Sequence, residues 1–504
     1  MLTLDPIAID CSTLRTLWRG APAHLSDDAL AAIDASAAAV ARIVAGGETV
    51  YGINTGFGLL AQERIPQERL AELQRNLILS HSCGLGEATP RHVTRLMIVL
   101  KLLGLGRGHS GVRRVVVEAL QALLDADAMP VIPSQGSVGA SGDLAPLAHM
   151  TAALMGQGWI DLAGERLPAS EALERMGRAP LELGPKEGLA LINGTQFSTA
   201  VALDALFAAE RVFGAALHAG ALAVDALKGS VKPFDPRISA MRGQPGQIRV
   251  AGELSRLLDG SAIVSSHHRC GRVQDPYSFR CQPQVMGAAL DLLENAARTL
   301  VIEAAAVTDN PILFAGDEGD EAISGGNFHA QPVAFAADII TMALCEVASL
   351  SERRISVLVD PKMSGLPAFL TDDGGVNSGL MIPQVTAAAL VAENRSLAFP
   401  ASVDSIPTSA GQEDHVSMAP IAGRKATTVA RNAAGVIAVE LITASQGVDY
   451  HAPLATSAAL GDLHGKVRAI SPRLEADRYW ADEMAALQAA VLAGEMSGGF
   501  LLGQ

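Results

Sequence analysis

The sequence predicts a mainly α-helical protein, with a long central helical bundle and a smaller mixed N-terminal part. Three observations predict it. Hydrophobic residues make up 49% of the chain and aromatics only 4%, so the apolar material is mostly Ala, Leu, Val and Ile, which suits closely approaching helices. Several of the long helical segments beyond residue 192 are apolar nearly all round, and each must be buried by neighbours. The 504 residues supply roughly three domains' worth of length, although long helical proteins often run on as one unit.

Taken in order, Ser26-Asp27-Asp28 before "ALAAIDASAAAVARIVAGG" gives an N-cap, acids in the first turn, an apolar stripe and a Gly46-Gly47 stop. Pro66 opens "PQERLAELQRNLILS" and Pro90 opens "PRHVTRLMIVLKLLG" in the same manner. The long helices are expected in "TQFSTAVALDALFAAERVFGAALHAGALAVDALKG", "QPQVMGAALDLLENAARTLVIEAAAV", "PVAFAADIITMALCEVASLSERRISVLV" and "HVSMAPIAGRKATTVARNAAGVIAVELITAS". At a rise of about 1.5 Å per residue they span roughly 35 to 50 Å, too long for one small globule to cover. An oligomer built around a central bundle follows. The division expected along the chain is 1–192, which carries a glycine-rich loop, and 193–504, which carries the long helices and the C-terminal helical part.

Composition removes several classes of function. The formal charge of −15 is spread thinly, with no Lys/Arg-rich block, so a nucleic-acid partner is not expected. Cys11, Cys83, Cys270, Cys281 and Cys345 include no C-x-x-C pair and read as reduced thiols of a cytoplasmic protein. The start "MLTLDPIAID" has no basic region followed by an apolar run, and charged residues or His interrupt the apolar stretches. Neither export nor a membrane span is expected.

The stretch "GSVGASGDLAPL", Gly136 to Leu147, places Ser141 among glycines. A hydrolase nucleophile would need a second glycine where Asp143 stands and a preceding strand, which the pattern does not predict. A phosphate cradle would need a P-loop or G-x-G-x-x-G spacing, and neither occurs. The ordinary reading is a Gly-rich turn before a helix opened by Asp143 and Pro146. A chemical reading stands beside it. Gly142 has no β-carbon, so its nitrogen is free to approach the Ala140 carbonyl and close a five-membered ring across Ser141. Loss of water from Ser141 then leaves an exocyclic methylene, giving a methylidene-imidazolone, a strong electrophile.

"GSVGASGDLAPLAHM" resembles the signature of the aromatic amino acid ammonia-lyases, whose Ala-Ser-Gly forms that group autocatalytically. "YGINTGFG", "NLILSHSCGLGE", "ALINGTQ", "QDPYSFRCQPQVMG", "AVTDNP", "SGGNFHAQPVAFAAD", "SLSERRI", "GLPAFL", "NSGLMIPQVTAAAL" and "PASVDSIPTSAGQEDHVSMA" follow in the family's order, from about Tyr51 to Ala419. The resemblance implies the family's helical bundle, of the ammonia-lyase and fumarase type. Ser80-His81 and Gln412-Glu413-Asp414-His415 resemble the histidine-acting branch; tyrosine- and phenylalanine-acting members have His-Leu or Phe-Leu at the first position and N-Q-D-V at the second. An imidazole ring offers one donor and one acceptor nitrogen, which His and Glu partners match. Alone, a His is more often a core residue and a Glu before Asp-His a helix cap.

The resemblance implies conversion of L-histidine to trans-urocanate and ammonia, the first step of histidine degradation. Its cofactor is 4-methylidene-imidazol-5-one from Ala140, Ser141 and Gly142, which takes the substrate amine covalently. Tyr51 is implied as the base; a tyrosine titrates near about 10, so helix N-termini after Gly142 and Gly194, or nearby cations, must lower it. His81 and Glu413 read the ring, Arg280 clamps the carboxylate bidentately, and Asn193 bonds that carboxylate and the cofactor's carbonyl. Tyr277 is a proton-relay partner, Gln274 an orienting amide, and Phe328 packs over the group and excludes water. Read singly, each of these four favours an ordinary role: Arg280 a surface ion pair, Asn193 a cap, and Tyr277 and Phe328 core.

The resemblance also implies a homotetramer whose active sites draw on three chains. No metal is expected, because no H-x-x-x-H or H-E-x-x-H run occurs. Pyridoxal phosphate is not expected either, since the seven lysines adjoin no phosphate loop. Phe399, Gly411, Cys83 and Phe279 depart from the family pattern; Cys83 and Phe279 stand beside site residues and bear on substrate scope. The rival readings are a tyrosine- or phenylalanine-acting lyase or aminomutase of the same family, and a non-catalytic helical scaffold.

Overall fold

The computed structural model describes residues 2–46, 50, 52–55, 65–266, 273–316 and 319–502. Among them the chain is mainly helical, with twenty α-helices and only short strands. Two compact units form, each from three stretches: Met1–Asp204, Ala297–Ala337 and Pro400–Arg424 in the first, Ala205–Ala296, Asp338–Phe399 and Lys425–Gln504 in the second.

The first unit holds every described strand. Leu2–Leu4 pairs in parallel with Ala23–Leu25, and Leu85–Ala88 runs antiparallel to Pro133–Gln135. Met129–Pro130, Trp159–Leu162 and Glu165–Pro168 make a three-stranded antiparallel sheet, and Ile312–Phe314 pairs with Glu321–Ile323. The strand Pro133–Gln135 ends immediately before Gly136, so a strand does precede the glycine-rich stretch, contrary to the sequence pattern. Proline and two polar residues give it no alternation to read.

The helix starts follow local chemistry. Ser26 Oγ accepts from the Ala29 amide at 3.2 Å and opens Asp27–Gly46. Pro90 is the N-cap of Arg91–Gly106. Pro66 instead precedes a 3₁₀ turn, Gln67–Arg69, before the α-helix Leu70–His81 begins.

The long helices are Gln196–Ala226, Gln282–Ala304, Gln331–Val359 and Ala419–Asp449. The 31 residues of the first span roughly 45 Å. Ala202, Ala205, Ala209, Ala216 and Ala219 of that helix are completely buried, as are Ala422, Ala426, Ala433, Ala434 and Ala438 of the last. Side chains this small permit short interaxial distances, which accounts for a core with so few aromatic rings. The last helix opens later than its sequence suggests: Met418 has φ +59° and donates its amide to Val138 O at 2.9 Å. Pro420 then fits the first turn, where its missing N–H costs nothing.

By length and composition Asp27–Gly46 and Gln331–Val359 are each apolar enough to cross a membrane, yet charges interrupt both, Asp34 and Arg42 in the first and Asp338 and Glu346 in the second. The second is mostly buried within the fold.

Candidate active site

Residues Gly136 to Asp143 are pinned from several sides, all within the first unit. The Asp143 amide donates to Gly194 O at 2.7 Å, and Gly142 bridges Gly194 in a parallel pairing. Gly142 has φ +75°, and a β-carbon there would stand 2.2 Å from Gly194 O. Gly139 has φ +67°, and its β-carbon would meet Ser417 Oγ at 2.3 Å; that hydroxyl donates instead to Gly139 O at 3.1 Å. Only glycine suits either position. The pairing also sets the starts of two helices, Leu144–Leu154 and Gln196–Ala226, beside the loop, and helix N-termini favour negative charge.

Asp143 is the buried anchor. Its carboxylate accepts from the Ser198 amide at 2.7 Å and the Ser198 hydroxyl at 2.6 Å, with Ser137 Oγ donating at 3.3 Å. Burial pushes this carboxyl up to about 6, against the pull of those donors and of Lys101. Lys101, also buried, donates to Ala190 O at 3.1 Å and Asn193 O at 3.0 Å. It thereby grips the turn after the helix Glu187–Ile192.

Asn193 closes that turn, and its Nδ2 donates to the Ser141 carbonyl at 2.6 Å. Its Oδ1 is buried with no hydrogen-bond partner, an acceptor held beside the Ser141 backbone. These residues fit a prosthetic group made from the backbone of Ala140, Ser141 and Gly142. The glycine position tolerates no side chain, the Ser141 carbonyl already has its donor, and a further polar atom remains unfilled.

Ser141 Oγ donates to Glu413 Oε1 at 2.5 Å, across 272 residues of sequence. Burial works to raise the Glu413 carboxyl. The hydroxyls of Ser141, Thr408 and Ser409, with the charge of His81, outweigh it and hold the group below its ordinary range. His81 ends the helix Leu70–His81, and its Nδ1 lies 2.8 Å from Leu77 O. A carbonyl only accepts, so Nδ1 carries a proton there. Ser141, Asn193, His81 and Glu413 are thus neighbours within the first unit.

Phe328 is half-buried in the same unit, followed by His329, whose ring stacks on His415 at 5.8 Å. Cys83 is exposed and Phe279 buried; Phe399 is exposed, and Gly411 adopts φ +85°. Gln274, Tyr277 and Arg280 belong to the second unit. Tyr277 is 72% exposed, the Arg280 guanidinium lies 4.5 Å from its ring centroid, and Arg280 Nε has no hydrogen-bond partner. Tyr51 lies outside the described residues. Lys101, Thr408 and Ser409 are site residues to which the sequence assigns no role. A lone lysine inside "LMIVLKLLG" is the available signal for the first, while Thr408 and Ser409 look like ordinary polar residues of a loop.

The chain matches known proteins along most of its length. A family described as aromatic amino acid lyase matches residues 9–469. A histidine ammonia-lyase of Burkholderia mallei is 57% identical over 486 residues, 96% of each chain. The crystal structure of histidine ammonia-lyase from Trypanosoma cruzi superposes with a TM-score of 0.90 at 39% identity, covering 98% of this chain and 94% of that one. Tyrosine aminomutase from Streptomyces globisporus reaches a TM-score of 0.92 at 33% identity, covering 98% and 97%.

Proposed function

This chain belongs to the aromatic amino acid lyase family, and from that premise we propose that it deaminates L-histidine to trans-urocanate and ammonia without oxidation. One observation carries the choice of substrate. The Glu413 carboxylate, held ionised with His81 nearby, faces the Ser141 hydroxyl. A carboxylate acceptor and an imidazole beside the reacting residue suit a ring with its own N–H and bare nitrogen, whereas a phenyl ring would leave both unpaired. The similarity to a histidine ammonia-lyase over nearly the whole chain supports the same choice.

The prosthetic group is 4-methylidene-imidazol-5-one, formed from Ala140, Ser141 and Gly142 with loss of two waters. Once formed, it supplies an electrophilic carbon for the substrate amine. The chain's own residues do the rest. Gly142 and Gly194 keep the backbone close, and Asn193 donates to the Ser141 carbonyl, where negative charge gathers. His81 and Glu413 orient the ring. Tyr51 is the base that removes the β-proton, and its phenol must be shifted toward the anion to do so. Arg280 holds the carboxylate bidentately, Tyr277 relays a proton, Gln274 orients the group, and Phe328 excludes water.

The exposed Tyr277 ring and the unfilled Arg280 Nε suit a homotetramer in which subunits share these segments. We place the enzyme in the cytoplasm, acting on a free amino acid.

The test adds L-histidine to the purified protein and follows the ultraviolet absorption of urocanate. Urocanate is expected from the native chain, whose intact mass lacks two waters, and not from Ser141→Ala, which stays folded. An unmodified native mass, or turnover of tyrosine in preference to histidine, would overturn the reading.

A further inference from the structure

Glu413 is held at one end by its own loop. Its Oε2 accepts from Thr408 Oγ1 at 2.6 Å and from Ser409 Oγ at 2.9 Å. The backbone reinforces this, because Thr408 N donates to Glu413 O at 2.9 Å and Glu413 N to Thr408 O at 3.3 Å. Ser409 and Ala410 adopt φ +50° and +55°, turning the chain back so that both hydroxyls meet the carboxylate. A carboxylate oxygen has two lone-pair sites, so Oε2 is filled. Oε1 has the Ser141 hydroxyl.

That hydroxyl does not survive. Dehydration of Ser141 takes Oγ and the α-hydrogen away as water, and Oε1 loses this donor while Oε2 keeps both of its own. We propose that Thr408 and Ser409 are positioning residues that lock Glu413 so that Oε1 alone is presented to the substrate's ring N–H, the Ser141 hydroxyl being its placeholder in the unreacted chain. The inference rests on the histidine-lyase reading and adds to it two residues that set how the ring is held. Freed of these hydroxyls, the Glu413 side chain would regain rotamers and spend less time aimed at the ring. Hydrogen bonds to a charged group are among the stronger ones, so the loss is read as roughly a tenfold or greater weakening of substrate binding.

The experiment compares the native enzyme with Thr408→Val/Ser409→Ala, Ser409→Ala and Thr408→Ser, measuring intact mass and then kcat and KM for L-histidine. Ser409 is exposed and Thr408 half-buried, so truncation leaves the core untouched. The double variant is expected to lose both waters and to raise KM about tenfold or more, with a smaller change in kcat. Ser409→Ala should raise KM less, and Thr408→Ser, which keeps the donor, should match the native enzyme. A native KM in the double variant would overturn the proposal. So would a Thr408→Ser variant as impaired as the double one, which would mean that shape and not the hydroxyl matters. An unprocessed mass in the double variant would overturn it too, assigning the hydroxyls to ring formation instead. A native enzyme that matures but makes no urocanate would remove the histidine reading first, and this inference with it.

Discussion

Asn193 Nδ2 lies 2.6 Å from the carbonyl oxygen of Ser141, and the peptide that carries Asn193 is itself fixed by Lys101. A donor set in place before reaction costs no reorganisation when charge develops on that oxygen. Asn193→Ala removes it and leaves the turn's backbone bonds. Urocanate formation is expected to fall about 100-fold or more. Intact mass separates a failure to mature from a failure to turn over, and a variant with native kcat would disprove the role.

The pairing of Gly142 with Gly194 makes a sharper demand. A methyl at Gly142 would enter the Gly194 carbonyl at 2.2 Å, on a backbone with φ +75°. The left-handed conformation alone costs roughly 1–2 kcal/mol for a residue with a β-carbon, and the clash adds to it. Gly142→Ala should therefore keep both waters, show no activity and melt earlier than the native protein. Gly252→Ala is the control: nothing lies within 4 Å of the place a methyl would take on that helical glycine, and alanine there should be neutral or stabilising.

Such contrasts show what was legible in the sequence. The long helices could be read because buried small residues repeat without interruption, and Ser26, Pro90 and Pro66 act on their immediate neighbours. Ser141, Asn193, His81 and Glu413 could be read because each stands in a short stretch of distinctive residues. The bond from Lys101 to the Asn193 carbonyl spans 92 residues and leaves no local period. Thr408 and Ser409 lie close to Glu413 in sequence, yet their role depends on a turn through positive φ that no glycine at 409 or 410 announces. The cut expected at 192/193 marks where long helices begin, whereas the two compact units are each gathered from three stretches.

Arg354 and Glu440 form a fully buried ion pair in the second unit, joined by the Ser351 hydroxyl on the same carboxylate. Charges this deep are tolerated because they are paired, Arg354 Nε and Nη2 both donating to the Glu440 carboxylate. Glu440→Gln leaves the guanidinium buried without its counter-charge, a change that costs about 3–5 kcal/mol. The urea midpoint at fixed protein concentration should drop accordingly. An unchanged midpoint would mean that water reaches Arg354.

Lys101 carries the last prediction, on pH. Its side chain is 2% exposed, and burial pushes the ammonium down to about 7, with Asp309 opposing, Lys186 adding to the fall and Asp143 opposing. In the unfolded chain a lysine titrates near about 10.4. Between those values the unfolded chain binds more protons than the folded one, so stability rises with pH across the window and is lost as pH falls through about 7. The native protein should gain resistance to urea from about pH 7 to about pH 10, by an amount on the order of a few kcal/mol. Lys101→Met has no proton to release and should lack that portion of the slope, even though it starts lower for want of bonds to Ala190 and Asn193. Titrations that do not feel Lys101 are shared by both proteins; Asp143, which does, titrates at about 6, so the difference between the two slopes in the upper part of the window isolates this lysine. Parallel slopes would show that Lys101 keeps its charge throughout and that the loop rests on a buried cation rather than on a neutral amine.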